Sequence, residues 1–124
     1  MSNVLKFSTN WNKKLDCKYF TTLRLSSKWI DQRVLIVSFK NKAKVAKIID
    51  AKKIKLSQLN DWLCYLDTGY SKEQTIKILG SMYSFNTQID DKTIYLYLIE
   101  CVTEWLDIPE NEINLDLYLS LIHI

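Results

Sequence analysis

The chain predicts an α+β fold, a small mixed β-barrel with a two-helix insert and an extra C-terminal segment. The first half runs or alternates apolar with the period of strands, the middle switches to helical spacing, and a strong strand then returns. No βαβ repetition appears, which disfavours a doubly wound sheet. A length of 124 residues suits one core, and with 2 Gly and 1 Pro most of the chain belongs in regular structure. The domain is expected over residues 1–102, with 103–124 an extension that packs on it or mediates self-association.

Each element has a local reason. Residues 4–7 form a short strand with Leu5 and Phe7 on one face, and residues 10–17 a polar turn or single helical turn. Residues 20–25 form a second strand, with Phe20, Thr22 and Arg24 pointing one way and Thr21, Leu23 and Leu25 the other. Leu23 and Leu25 are expected on the core side. Residues 34–39 are continuously apolar and β-branched, as in a strand buried on both faces. After the turn at Asn41-Lys42, residues 43–54 alternate basic with small or apolar side chains, as a half-exposed strand does. Helical spacing begins after Ser57, read as an N-cap, with Leu59, Trp62, Leu63 and Leu66 as the apolar set. Gly69 suits the positive φ that closes a helix. Ser71 and Gln74 form a capping box for a second helix with Ile76, Ile78, Leu79 and Met82 as its apolar face. Asp90-Asp91 reads as turn chemistry before a last strand over 93–102. The tail over 113–121 alternates apolar and polar residues, which fits an added edge strand and leaves a helix open.

Composition narrows the function. Residues 1–55 carry fourteen Lys and Arg against three Asp, a net of +11, whereas residues 56–124 carry three Lys against eleven acidic residues, a net of −8. Such asymmetry points to an anionic partner, unless the two halves neutralise each other on folding. The longest apolar run is far short of the roughly 20 residues of a membrane span, and no apolar N-terminal leader is recognisable. Cys17, Cys64 and Cys101 lie far apart and form no C-x-x-C, so reduced thiols in a cytoplasmic protein are expected, with no metal site and no cofactor. The lone His123 sits at a terminus and is a poor base for a catalytic pair.

The segment Trp11 to Arg24 interleaves cations, aromatics and hydroxyls. Lys13, Lys14 and Lys28 supply charge for phosphates, and Arg24 can make a bidentate contact to a phosphate or base edge. Thr21 and Thr22 can fix orientation, while Trp11, Tyr19 or Trp29 can stack on a splayed base. The same residues also suit an amphipathic strand with core aromatics and solvated lysines.

Phe20-Thr21-Thr22-Leu23-Arg24 resembles the T-x-R signature of ASCH domains, which share the PUA-like β-barrel. The segment Leu66 to Ser71, the pair Met82-Tyr83 and the strand from Ile94 to Glu100 are similar in order and spacing, covering roughly residues 5–102. The resemblance implies a cleft between barrel and helices, lined by the Thr-Leu-Arg strand, with Tyr83 facing it, and an RNA or nucleotide-like ligand. It also implies an alternative, since some compact members are amidohydrolases that deacylate N4-acylated cytidine. Carried over, their threonine is Thr22, the arginine Arg24 and the acid Asp67. Their lysine lies three positions before the threonine, where this chain has Tyr19, and the nearest lysine is Lys18. A non-catalytic interaction protein, monomeric or weakly dimeric through its tail, is the third alternative.

Overall fold

The computed structural model describes residues 4–86 and 91–122. Strands β1 (Val4–Phe7), β2 (Tyr19–Arg24), β3 (Val34–Phe39), β4 (Lys42–Lys55), β5 (Thr93–Cys101) and β6 (Leu106–Asp107) make one sheet. Along it the order is β1-β3-β4-β5-β2, with β6 added beside β4. The β1–β3 pair is parallel and every other pair antiparallel. The sheet curls into a half-barrel, helped by a register shift between Ile48 and Asp50, because a bulge bends its strand and increases local twist. Helices α1 (Asp61–Asp67) and α2 (Lys72–Tyr83) fill the insert, and α3 (Leu115–Ile122) follows the sheet.

The two end strands of the path, β1 and β2, approach each other without pairing. Phe7 and Phe20 meet edge to face at 5.8 Å, and the Arg24 Nη2 donates to the Lys6 carbonyl at 3.1 Å. A side chain, rather than a backbone ladder, thus ties this seam.

Strand β2 is apolar on both faces because it separates two cores. Phe20 faces the barrel interior with Leu5, Leu35, Val37, Tyr97 and Ile99, while Leu23 faces outward into a cluster with Leu56, Leu59, Cys64, Leu79 and Ile94 under the helices. Phe20 therefore belongs to a core just as Leu23 does. The expected double burial of β3 is found, with Leu35, Ile36 and Val37 each fully buried.

Several boundaries differ from the sequence reading. Ser57 lies in a 3-10 turn (Leu56–Gln58), and the N-cap of α1 is Asn60, whose side chain accepts the Leu63 N–H at 2.9 Å. Ser57 instead donates through N and Oγ to Asp91 at 3.0 and 2.8 Å, so Asp91 anchors the insert to the start of β5; Asp90 lies outside the described residues. The shift rotates the apolar stripe of α1: its inner face is Leu63, Cys64 and Asp67, whereas Trp62 is 83% and Leu66 70% exposed. The Ser71–Gln74 capping box and the positive φ of Gly69 (82°) are present as expected. On α2, Leu79 is buried, Ile76 and Ile78 are half-buried and Met82 is exposed.

The tail is a helix and not a strand. Asn114 caps it by accepting the Leu117 N–H at 3.0 Å, and leucine is a strong helix former, so local chemistry overrides the period-two pattern. It docks on β3 of its own chain, where the Tyr118 hydroxyl donates to the Val34 carbonyl at 2.9 Å. His123 lies outside the described residues. Among the described residues, no helix is long and apolar enough to cross a membrane.

Candidate functional site

Beside the seam between β1 and β2, under α2 and the C-terminal end of α1, lies a small cleft of about 70 Å³. Phe7, Trp11, Lys14, Thr22, Arg24, Asp67, Thr75, Met82 and Tyr83 are among its lining residues.

The most unusual of these is Lys14. It sits in a 3-10 turn (Trp11–Asp16) that is kinked by Asn12 and Lys13, both at φ 55° and ψ 22°. Left-handed backbone is costly for residues with a Cβ, so the surroundings must hold it. Asn12 helps by donating its side-chain amide to the last carbonyls of α1, Tyr65 at 3.2 Å and Leu66 at 3.4 Å. The kink turns Lys14 inward until it is 6% exposed, with its Nζ 3.0 Å from the Asp67 Oδ1. That same oxygen accepts the Thr21 hydroxyl at 2.7 Å. Burial pushes the Lys14 ammonium below its ordinary value, against the opposing pull of Asp67, and Arg24 adds a smaller repulsion.

Arg24 is the second cation. Its Nε donates to the Thr22 Oγ1 at 3.1 Å, and its guanidinium lies over the Phe7 ring at 4.5 Å. The Lys14 ammonium is 5.7 Å from the same ring centroid, so one aromatic ring serves two cations. Burial also lowers the Arg24 value, opposed by the Tyr83 hydroxyl and Asp67. Lys14 and Arg24 share the one carboxylate of the cleft lining, while Lys6 at its rim pairs with Glu110, and an anion or a carbonyl-rich ring would complete the balance. Behind the carboxylate, Thr68 and Thr75 share a buried hydroxyl contact at 2.9 Å, and the Thr68 hydroxyl also reaches the Cys64 carbonyl.

The candidate residues thus divide. Lys14, Thr22, Arg24, Asp67 and Tyr83 line the cleft, and Thr21 reaches it from the other face of β2 through Asp67. Lys18 does not join them. Its side chain is 67% exposed and lies 4.0 Å from Glu100 on the far side of the sheet. Tyr19 is on that far side too, donating to Glu100 at 3.0 Å. Strand alternation explains this, because Tyr19 shares its face with Thr21 and not with Thr22. Lys13 is exposed on the kink, and Lys28 lies over Trp29 at 4.6 Å, outside the cleft. Trp29 itself is a core residue whose indole donates to the Val4 carbonyl. The reading of the basic segment missed the inward turn of Lys14, since two successive left-handed residues without glycine leave no mark in composition. Thr75 was also missed, although its place three residues before Ile78 sets it one turn away on the same side of α2.

Among the described residues no three His, Cys, Asp or Glu side chains gather to hold a metal ion. No family model, no curated protein and no solved structure matches this chain.

Proposed function

We propose that the protein is an RNA-binding domain that takes one nucleotide of a single strand into the cleft beside Arg24. The observation that carries this reading is the half-buried guanidinium, oriented by Thr22 and the Lys6 carbonyl and backed by Phe7. A fixed planar donor suits a base edge or phosphate, and Trp11 and Tyr83 offer faces for a base. The charge distribution supports it further. Among the described residues only Lys6, Lys14 and Lys18 of the basic half make ion pairs with the acidic half, so most of its cations remain available for phosphates.

The buried Lys14–Asp67 pair favours a second reading, deacylation of an N4-acylated cytidine. Neutral Lys14, made more accessible by its lowered pKa, would take the proton from the Thr22 hydroxyl or a water as that oxygen attacks the acyl carbon. The same proton would pass to the exocyclic nitrogen as the C–N bond breaks, giving cytidine and, after hydrolysis, the carboxylic acid. In this reading Lys14, rather than the nearer Lys18, supplies the lysine that the resemblance calls for.

One set of variants tests both. Binding of a labelled single-stranded RNA should fall steeply between about 50 and 200 mM salt, and Arg24→Ala should weaken it far more than Lys92→Ala. Absence of binding at low ionic strength would remove the first reading. Turnover of N4-acetylcytidine that survives in Lys18→Ala and is lost in Lys14→Met would support the second, and no turnover by wild type at high protein concentration would end it.

A further inference from the structure

Near the cleft lies an exposed aromatic face whose occupant the neighbouring charges identify. Helix α1 is only seven residues long, yet Trp62, Tyr65 and Leu66 are 83%, 53% and 70% exposed on its outer side. Large apolar side chains grouped in this way on a surface mark an interaction site rather than random exposure. This face is connected to the cleft through a chain of contacts. Trp11 lines the cleft and meets the Tyr70 ring edge-on at 6.1 Å; the adjacent Asn12 is bonded to the carbonyls of Tyr65 and Leu66; and Trp62 stands one helical turn before Leu66, about 6 Å along the axis.

The electrostatics select the partner. Lys13 is exposed on the kink beside Asn12 and makes no ion pair among the described residues. The carboxylates of α1 are both engaged: Asp67 is buried on Lys14 and Thr21, and Asp61 accepts the Lys72 N–H at 2.8 Å. Exposed rings next to an unpaired ammonium fit a polyanion with flat faces, as single-stranded nucleic acid is, since unpaired bases stack on aromatics while phosphates meet cations. A duplex keeps its bases stacked inside and offers these rings nothing comparable.

We propose that the outer face of α1 is a stacking track for the nucleotides that flank the one held in the cleft. Trp62 and Tyr65 take successive bases, Leu66 supplies apolar contact between them, and Lys13 neutralises a phosphate at the junction. This rests on the nucleic-acid reading of the cleft and adds a length requirement to it, because a mononucleotide reaches only Arg24 whereas a longer strand reaches both parts.

The experiment compares a random-sequence RNA of about eight nucleotides with a mixture of the four nucleoside monophosphates, by titration of intrinsic tryptophan fluorescence and by calorimetry. Wild type should bind the octamer more tightly, with fluorescence quenching that is reduced in Trp62→Phe to what Trp11 in the cleft contributes. Trp62→Ala should weaken octamer binding about tenfold and leave mononucleotide binding and the thermal midpoint unchanged. Arg24→Ala should weaken both ligands. Octamer binding that is sensitive to Arg24→Ala but indifferent to Trp62→Ala would overturn the track and leave the cleft reading standing. Failure of wild type to bind either ligand at low salt would overturn both. A change in the sedimenting mass of the free protein on Trp62→Ala would mark the face as a contact between copies of this chain and overturn the track.

Discussion

Lys14 and Asp67 concentrate the energetics of the site into one oxygen–nitrogen contact. Both side chains are nearly out of water, and a charge left unpaired there costs several kcal/mol. Asp67→Ala should therefore destabilise the fold by about 3 kcal/mol in urea unfolding at pH 7. Replacing both partners, as in Lys14→Met/Asp67→Leu, should recover most of that loss because no buried charge remains. The pH dependence has a definite sign. Folded Lys14 has its value lowered below the ordinary 10.5, so between those values the unfolded chain binds more protons and the contribution of this group to stability rises with pH. The double variant lacks that gain, so its stability relative to wild type should fall from pH 7 toward pH 10.5, and a flat difference would contradict the account. Lys44 shows a different solution to the same problem. It is buried with no carboxylate at ion-pair distance among the described residues, donating to the Leu15 carbonyl and lying over the Trp105 ring at 4.2 Å. Its place in an alternating basic strand gave it the look of a solvated side chain.

At the scale of elements, α1 is held in place by its ends. Asn60 closes the N-terminus, and Asn12 satisfies carbonyls at the C-terminus that the helix cannot satisfy itself. Gly69 then reverses the chain with φ 82°, where a Cβ would meet Asn12 only at an ordinary 3.5 Å. The expected cost of Gly69→Ala is thus backbone strain alone, about 1 kcal/mol by urea unfolding. A much larger loss would mean that the Asn12 contact had been displaced as well, and Asn12→Ala measured alongside would reveal it. These termini position Asp67, since the carboxylate is the last residue of α1. The helix was legible from its spacing and from Gly69, but its start was misread by three residues. Ser57 and Asn60 are both good caps, and only the bond from Ser57 to Asp91, distant in sequence, decides between them.

For the whole molecule, the decisive feature is a sheet that curls far enough to bring β1 near β2 without pairing them. The gap becomes the cleft, and α2 covers it with Leu79, Met82 and Tyr83. The acidic half reaches the basic half through individual pairs, Lys14–Asp67 in the cleft, Lys18–Glu100 on the outer sheet and Lys6–Glu110 near the tail, so the charge asymmetry of the sequence is only partly cancelled. Helix α3 docks on β3 with Tyr118 and leaves Leu119 exposed. A chain ending at Asn114 should be less stable to urea by about 1 to 2 kcal/mol, and both it and the full chain should sediment with the mass of a monomer. A fall in mass on truncation would instead give the tail a role in self-association.

The sequence by itself determined the strand-rich first half, the two-helix insert, the strong β5 and the basic segment around Thr22 and Arg24. Those follow from periodicity, capping residues and local charge, which act over a few neighbours. The tertiary structure alone decided which lysine enters the cleft. Lys18 is nearer to Thr22 in the chain, yet it lies just before β2 with its side chain exposed beside Glu100. Lys14 is farther away but is turned inward by a strained kink, and that kink is held by carbonyls some fifty positions later. A contact of that kind depends on where α1 comes to rest, and no window of sequence around Lys14 contains the information.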